Sequence, residues 1–241
     1  MTTPAIIKDL APTGRLRASI NLGNSVLAQG TPEAPRGVSV DLANELGRRL
    51  GLPVEFICWP AAKPSFDTVK SGNADIAFLA HEPARAAEVE FTAPYVQIEG
   101  AYMVVKSSPL NSVDEVDKPG IRVCVGPGSA YDLYLTRSLK HATLVRSELG
   151  GGAVHVDLFL KEKLEACAGV KQALEGYAAT DPNVRILPGR FMVIGQAMAL
   201  PKGRPAALAY VKSVLEELKA SGFVADGLKR SGQTASVAPA G

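Results

Sequence analysis

Three places along the chain gather residues whose types can do chemistry. The first is Gly126-Pro127-Gly128-Ser129, directly after the apolar run 121–125 and before a helical stretch. Its two glycines allow close backbone approach, and Ser129 is suited to cap the helix that follows. The free N–H groups of such a helix start, Ala130 and Tyr131 among them, make with the helix dipole a seat for an anion. The same residues also suit a plain strand-to-helix turn, and the pattern alone leaves both readings open. A dinucleotide fingerprint needs a small residue where Tyr131 stands, so no nucleotide cofactor is expected.

The second place is Arg85, just past a wholly apolar run, 76–80, and near a helix start. An arginine there can clamp a carboxylate through two parallel hydrogen bonds. It can also be a surface residue paired with Glu82 or Glu88. The third place is His81-Glu82, which reads either as an acid–base pair at a strand end or as a solvated loop tip. Trp59 follows a strand and suits an aromatic wall of a cleft as well as core packing. His141 and His155 have no ligand-like spacing to Cys, Asp or Glu, so no metal is expected. Neither a G-x-S-x-G elbow nor an H-E-x-x-H helix occurs.

These residues need a frame, and the chain supplies one by alternating short apolar runs with stretches of helical period, the pattern of an α/β protein. Strands are expected at 16–21, 53–58, 76–80 and 101–105, with helices at 38–50, 65–71 and 83–88 between them. Leu42, Leu46 and Leu50 stack on one face of 38–50, which Gly51 closes before Pro53. Asn21 and Asn24 bracket the turn that ends the first strand, and 31–37, rich in Pro and Gly, reads as a loop. After the polar stretch 106–109 the βα pattern starts afresh: strands at 121–125, 143–146, 164–168 and 184–187, helices at 129–140, 154–163 and 170–179. Pro188-Gly189-Arg190 is a second joint, followed by a strand at 195–200, a long amphipathic helix at 204–221 and a last helical segment at 222–230.

The expected architecture is therefore bilobal. Residues 1–105 and 191–230 form one lobe, 106–190 the other, and 231–241 a disordered tail. Open α/β sheets bind ligands beyond the carboxyl ends of their strands, so the cleft between the lobes is the expected ligand site.

Composition narrows the function. With 26 Lys+Arg against 24 Asp+Glu in 241 residues, the chain lacks the basic excess of a nucleic-acid binder. No run of 18 apolar residues marks a membrane span. Cys58, Cys124 and Cys167 are far apart, odd in number and set in apolar runs, so they read as buried thiols rather than a disulfide framework. Nothing near Met1 resembles a secretory signal, so the chain as given reads as cytoplasmic, or as periplasmic if a leader has been removed.

Several of these pieces together resemble family 3 solute-binding proteins, the polar amino-acid-binding components of ABC importers. The stretch GVSVDLANELGRRLGLPVEF from Gly37 to Phe56 is similar to that family's G-x-x-x-D-L-A…L-G…V-x-F segment. Ser71-Gly72-Asn73-Ala74-Asp75-Ile76 resembles its S-G-x-x-D-I step. Arg85 followed by Phe91-Thr92-Ala93-Pro94-Tyr95 resembles its R…F-S/T-x-P-Y signature, and Val125–Ser129 its second-lobe turn. Pro201-Lys202-Gly203 before a long helix resembles its return to lobe one. The resemblance implies a type II periplasmic binding-protein fold. It also implies a ligand carboxylate held by Arg85 and by Ser129 with Ala130.

Two departures stand out. Leu79-Ala80-His81-Glu82 occupies the place of the family's S/G-x-T, which bonds the amino-acid ligand. The segment Glu165–Val170 ends in Val170, with Lys171 next, where the family has an aspartate that holds the ligand's α-ammonium. An ammonium buried without its carboxylate is strongly disfavoured. The expected ligand is thus a small carboxylate without a free α-amine, and the expected partner, if the protein is exported, an ABC permease. Two other functions stay open: a cyclohexadienyl-dehydratase-like lyase on the same fold, with His81, Glu82, Glu99 and Lys171 as proton-transfer groups, and a cytosolic ligand sensor or carrier.

Overall fold

In the computed structural model, which describes residues 3–151 and 153–241, the chain forms two compact units. One comprises 1–97 and 195–241, the other 98–194. The joints expected at 106 and 190 thus move to 97/98 and 194/195, inside two long strands. Polar composition at 106–109 and 188–190 marked loops near these strands rather than the division itself.

The first unit opens with helix α1 (Pro4–Leu10), which Thr3 caps by accepting the Ile6 N–H and Pro4 pre-sets at the first helical position. Strand β1 (Leu16–Asn21) follows, then a small hairpin of β2 (Gln29–Thr31) and β3 (Ala34–Arg36) in the segment expected to be a loop. Helix α2 (Val38–Leu50) buries Leu42 and Leu46 and ends at Gly51 in the left-handed region, φ 68°. Its other end is set by Gly37 at φ 110°, a conformation open to glycine. A Cβ on Gly37 would meet the Leu27 carbonyl oxygen at 2.6 Å.

Strand β4 (Val54–Trp59), helix α3 (Ala62–Lys70), strand β5 (Ile76–Ala80) and the single turn α4 (Pro83–Ala86) complete the first run of the chain. Strand β6 (Val89–Val105) carries it into the second unit.

Within the first unit the sheet order is β4-β1-β5, all parallel. Every residue of β5 is buried, as its unbroken apolar run requires of a central strand. Asp75, just before β5 and fully buried, accepts hydrogen bonds from the Arg17 backbone N–H (3.0 Å), Arg17 Nε (3.1 Å) and Arg17 Nη2 (2.8 Å), and from Arg204 Nη1 (3.0 Å). This carboxylate ties β1 to β5. The aspartate of the S-G-x-x-D-I step is a structural clamp.

The second unit repeats the arrangement. Strand β7 (Arg122–Val125) lies between β8 (Thr143–Arg146) and β9 (Ala166–Val170), all parallel. Helices α5 (Ala130–Ser138), α6 (Val154–Lys161) and α7 (Lys171–Ala178) connect or follow them. Strand β9 pairs antiparallel with β6, as Gly100↔Val170 through Met103↔Cys167, and β10 (Val184–Ile186) also pairs with β6. The clamp recurs: Glu165, just before β9, accepts the Arg122 N–H at 2.8 Å and Arg122 Nε at 2.9 Å.

Cys124 and Cys167 are register partners on β7 and β9, both free and buried. Their Sγ atoms lie 3.0 and 4.0 Å from the His155 carbonyl oxygen. Burial pushes the Cys124 thiol up to about 11 and the Cys167 thiol up as well, which keeps both protonated and unreactive. Cys58 on β4 is only partly buried.

Strand β11 (Met192–Pro201) returns the chain to the first unit, where it pairs antiparallel with β5. The long helix α8 (Pro205–Ala220) and helix α9 (Phe223–Arg230) follow. The segment 231–241, expected to be disordered, instead carries a last short strand, β12 (Ser236–Val237), paired with Gln97 and Val96 of β6. Its anchors are backbone hydrogen bonds, such as Ala238 N–H to the Tyr95 carbonyl at 3.0 Å, which its small polar composition does not announce.

Candidate functional site

In each unit the candidate residues collect at the carboxyl ends of the parallel strands, the edge where open α/β sheets take ligands. In the first unit Trp59 ends β4, Asn21 ends β1, and Leu79 and Ala80 end β5. Asn21 and Trp59 are register partners, and the Leu22 N–H bonds the Trp59 carbonyl at 2.8 Å. Asn21 Oδ1 accepts the Gly23 N–H at 3.0 Å, fixing the turn that carries Asn24. The Trp59 ring N–H and Asn24 Oδ1 are both buried without a hydrogen-bond partner in the structure.

Leu79 packs among Val69, Ala74, Val89 and Phe91, so its side chain belongs to the apolar core. Ala80 accepts a hydrogen bond from Arg85 Nη1 at 3.3 Å. His81 is exposed, with its ring edge-on to Phe91 at 4.9 Å between centroids.

Arg85 sits in the single turn of α4, whose start is set by Pro83 and by Glu82 Oε2 accepting the Ala84 N–H at 3.2 Å. Glu82 is therefore engaged as a cap. Arg85 is only 3% exposed, and its guanidinium carbon lies 6.0 Å from the centre of the Phe66 ring. Burial brings its pKa down to about 10, against the pull of Glu82, so it is still charged at neutral pH. Holding a guanidinium in so dry a place is costly unless anionic or dipolar acceptors surround it. Gln196, a buried polar residue of β11 opposite Ala80, joins this strand end; nothing in the local pattern of β11 singled it out.

In the second unit the turn Gly126–Ser129 follows β7. Ser129 caps α5 by accepting the Asp132 N–H at 3.1 Å, and Asp132 Oδ2 accepts the Gly128 N–H at 2.8 Å. Asp132 Oδ1 in turn takes Arg146 Nε at 2.9 Å. Ser129 and Asp132 form a reciprocal cap of the kind that fixes a helix start. The N–H groups of Ala130 and Tyr131 lie in the first turn, where no intrahelical acceptor exists.

Tyr131 itself is turned inward. Its ring packs with Tyr102, Val104 and Leu135 and stands 5.8 Å from the His155 ring, and burial raises its phenol well above the usual range.

Val170 ends β9 and precedes α7, with no side-chain cap at that helix start. Lys171 Nζ lies 3.0 Å from Glu99 Oε2, and Arg190 Nη1 holds Glu99 Oε1. Arg190, first, and Lys171, second, hold the Glu99 carboxyl below its ordinary range. Arg190 lies 91 positions from Glu99 in sequence, and no local pattern could have joined the two.

Among the described residues no cluster of three His, Cys, Asp or Glu suits a metal ion, and no helix is long and apolar enough to cross a membrane.

Comparison with solved structures shows the fold. The chain is similar to the solute receptor for L-cysteine of Neisseria gonorrhoeae, with TM-score 0.79, 22% identity, and 95% and 93% of the two chains covered. It is similar to an ABC transporter binding component from Wolinella succinogenes complexed with lysine, with TM-score 0.77, 20% identity, and 90% and 95% covered. It is also similar to an ancestral amino acid-binding protein described as a precursor of cyclohexadienyl dehydratase, with TM-score 0.77, 20% identity, and 93% and 97% covered.

No curated protein matches the chain. The α/β architecture is that of type II periplasmic binding proteins, and the function is solute binding of the ABC-transporter kind. A family model covers residues 26–231, and by that match the chain belongs to the bacterial extracellular solute-binding proteins, family 3.

Proposed function

We propose that the chain binds a small carboxylate-bearing ligand that lacks a free α-amine. Arg85 is the carboxylate-binding group of the first unit, and Ser129 with the Ala130 N–H those of the second. The observation that carries the reading is the end of β9. At the position that the resemblance equates with the ammonium-binding aspartate stands Val170, and the nearby carboxylate of Glu99 has Lys171 on one oxygen and Arg190 on the other. An ammonium brought there meets two cations and one carboxylate already shared between them. Desolvating it without an acceptor costs several kcal/mol, on the order of a thousandfold in affinity.

The same engagement argues against catalysis on this site. Glu82 is held as a helix cap and Glu99 is kept ionised between two cations, so neither is poised to move a proton. An exported form would hand its ligand to an ABC permease.

Isothermal titration against matched five-carbon ligands tests the reading. Valerate is expected to bind and norvaline, its α-amino counterpart, to bind at least about tenfold more weakly. Norvaline binding more tightly than valerate would overturn it.

A further inference from the structure

The groups at the end of β9 do more than exclude an ammonium. Three charged side chains converge there from separate parts of the second unit: Glu99 from β6, Lys171 from the start of α7, and Arg190 from the loop before β11. Glu99 is paired beside the site, because its neighbour Gly100 is the register partner of Val170. Two cations on one carboxylate leave one net positive charge. The Lys171 side chain is 34% exposed and the Arg190 side chain 55%, so both keep donors open to a ligand or to water. Lysine is moreover the wrong charge for the first turn of a helix, where the dipole favours anions. Glu99 is what holds it in place. A surface ion pair needs no third partner, whereas a shared carboxylate fixes both cations in one orientation.

Building on the carboxylate reading above, we infer that the ligand carries a second acidic group, and that Lys171, set by the Glu99–Arg190 pair, is the residue that selects it. The ligand class is then the short dicarboxylic acids. A single-acid ligand would leave the excess positive charge facing an apolar chain end. An amino acid would bring a second positive charge beside it.

The test compares glutarate with valerate, which differ only in the second carboxyl, by titration calorimetry at low ionic strength. The wild-type protein is expected to prefer glutarate by about tenfold or more. Lys171→Met is expected to bring that ratio close to one. Glu99→Gln keeps a side-chain oxygen that can still hold Lys171 but removes the negative charge that competes with the ligand's second acid, and is expected to raise the ratio. Opposite movements of the ratio in two neighbouring variants cannot come from loss of folding.

Equal affinity for the two acids in the wild-type protein overturns the second-acid inference and leaves the carboxylate reading standing. A ratio that Lys171→Met does not lower overturns the role of Lys171. Failure of both acids to bind overturns the inference and the reading beneath it.

Discussion

Arg17 and Asp75 are joined through the backbone N–H and two guanidinium nitrogens of the arginine, and the same construction joins Arg122 to Glu165. In each unit an arginine early in the middle strand of three reaches the acid that precedes a neighbouring parallel strand. Register between the two strands is thereby fixed at their amino ends, and the carboxyl ends that carry the candidate residues inherit it.

The two clamps differ in burial, and so in their weight. Asp75 is wholly buried and also serves Arg204. Asp75→Ala strands two guanidinium groups, 16–19% exposed, and is expected to cost about 3–5 kcal/mol, read as a lowered denaturant midpoint. Glu165→Ala, whose partner Arg122 is 44% exposed, is expected to cost about 1 kcal/mol or less. Equal losses in the two variants would show that burial does not set the difference.

Arg85→Ala should lower affinity for a bound carboxylate by about a hundredfold or more, since it deletes one member of a desolvated charge pair. Arg85→Lys should recover little of this, because an ammonium cannot present the planar two-donor edge of a guanidinium. Calorimetry with both variants decides the point; full binding by Arg85→Lys would reduce the role of Arg85 to charge alone.

Gly37→Ala places a Cβ 2.6 Å from the Leu27 carbonyl oxygen at a residue with φ 110°. A loss of about 2–3 kcal/mol is expected, with the start of α2 the first region to show faster amide exchange. Unchanged stability would mean that the backbone can turn out of this conformation freely.

His155 sets a pH dependence. Burial lowers its pKa from 6.5 to about 4, with Asp157 opposing the shift. Between those values the unfolded chain takes up a proton that the folded chain refuses, so stability falls as pH drops from about 6.5 to about 4. The loss at the lower end is about 3 kcal/mol, and above the unfolded pKa it vanishes. His155→Phe is expected to flatten this part of the profile in urea denaturation across that range. A profile unchanged by the substitution would place the titration elsewhere.

Much of the frame was legible in the sequence because local chemistry decided it. Helix α2 was readable to its last residue, since Gly51 and the apolar repeat of Leu42, Leu46 and Leu50 agree on where it ends. Strand β5 was readable because nothing but apolar residues occupies it.

The failures came where tertiary contacts decide. The strand expected at 101–105 begins instead at Val89, so β6 runs through Pro94, which packs against Gly195 of β11. The β2–β3 hairpin was hidden by Pro32 and Pro35 in a run that composition marks as loop. Helix α1 carries a readable start signal, Thr3 before Pro4, but its 7 residues are too few to show a helical period.

At the candidate site the single-residue features were legible and the pairings were not. Arg85, Ser129 and Lys171 stand out by type and by position beside strand ends. Leu79 and Tyr131 stand beside them in sequence, but their side chains turn into the core, since alternate strand residues and successive helix residues face different ways. The sharing of Glu99 between Lys171 and Arg190 depends on β6 lying next to β9, a non-local pairing that no window of sequence contains.

The two residues of β12 have a practical weight out of proportion to their length. They cover backbone groups of Val96 and Gln97 that would otherwise form an open strand edge. A chain cut after Gln233 keeps every helix yet bares that edge to a second molecule. Such a shortened protein should fold and then self-associate through intermolecular strand pairing, so trimming this segment to aid crystallisation would work against its purpose.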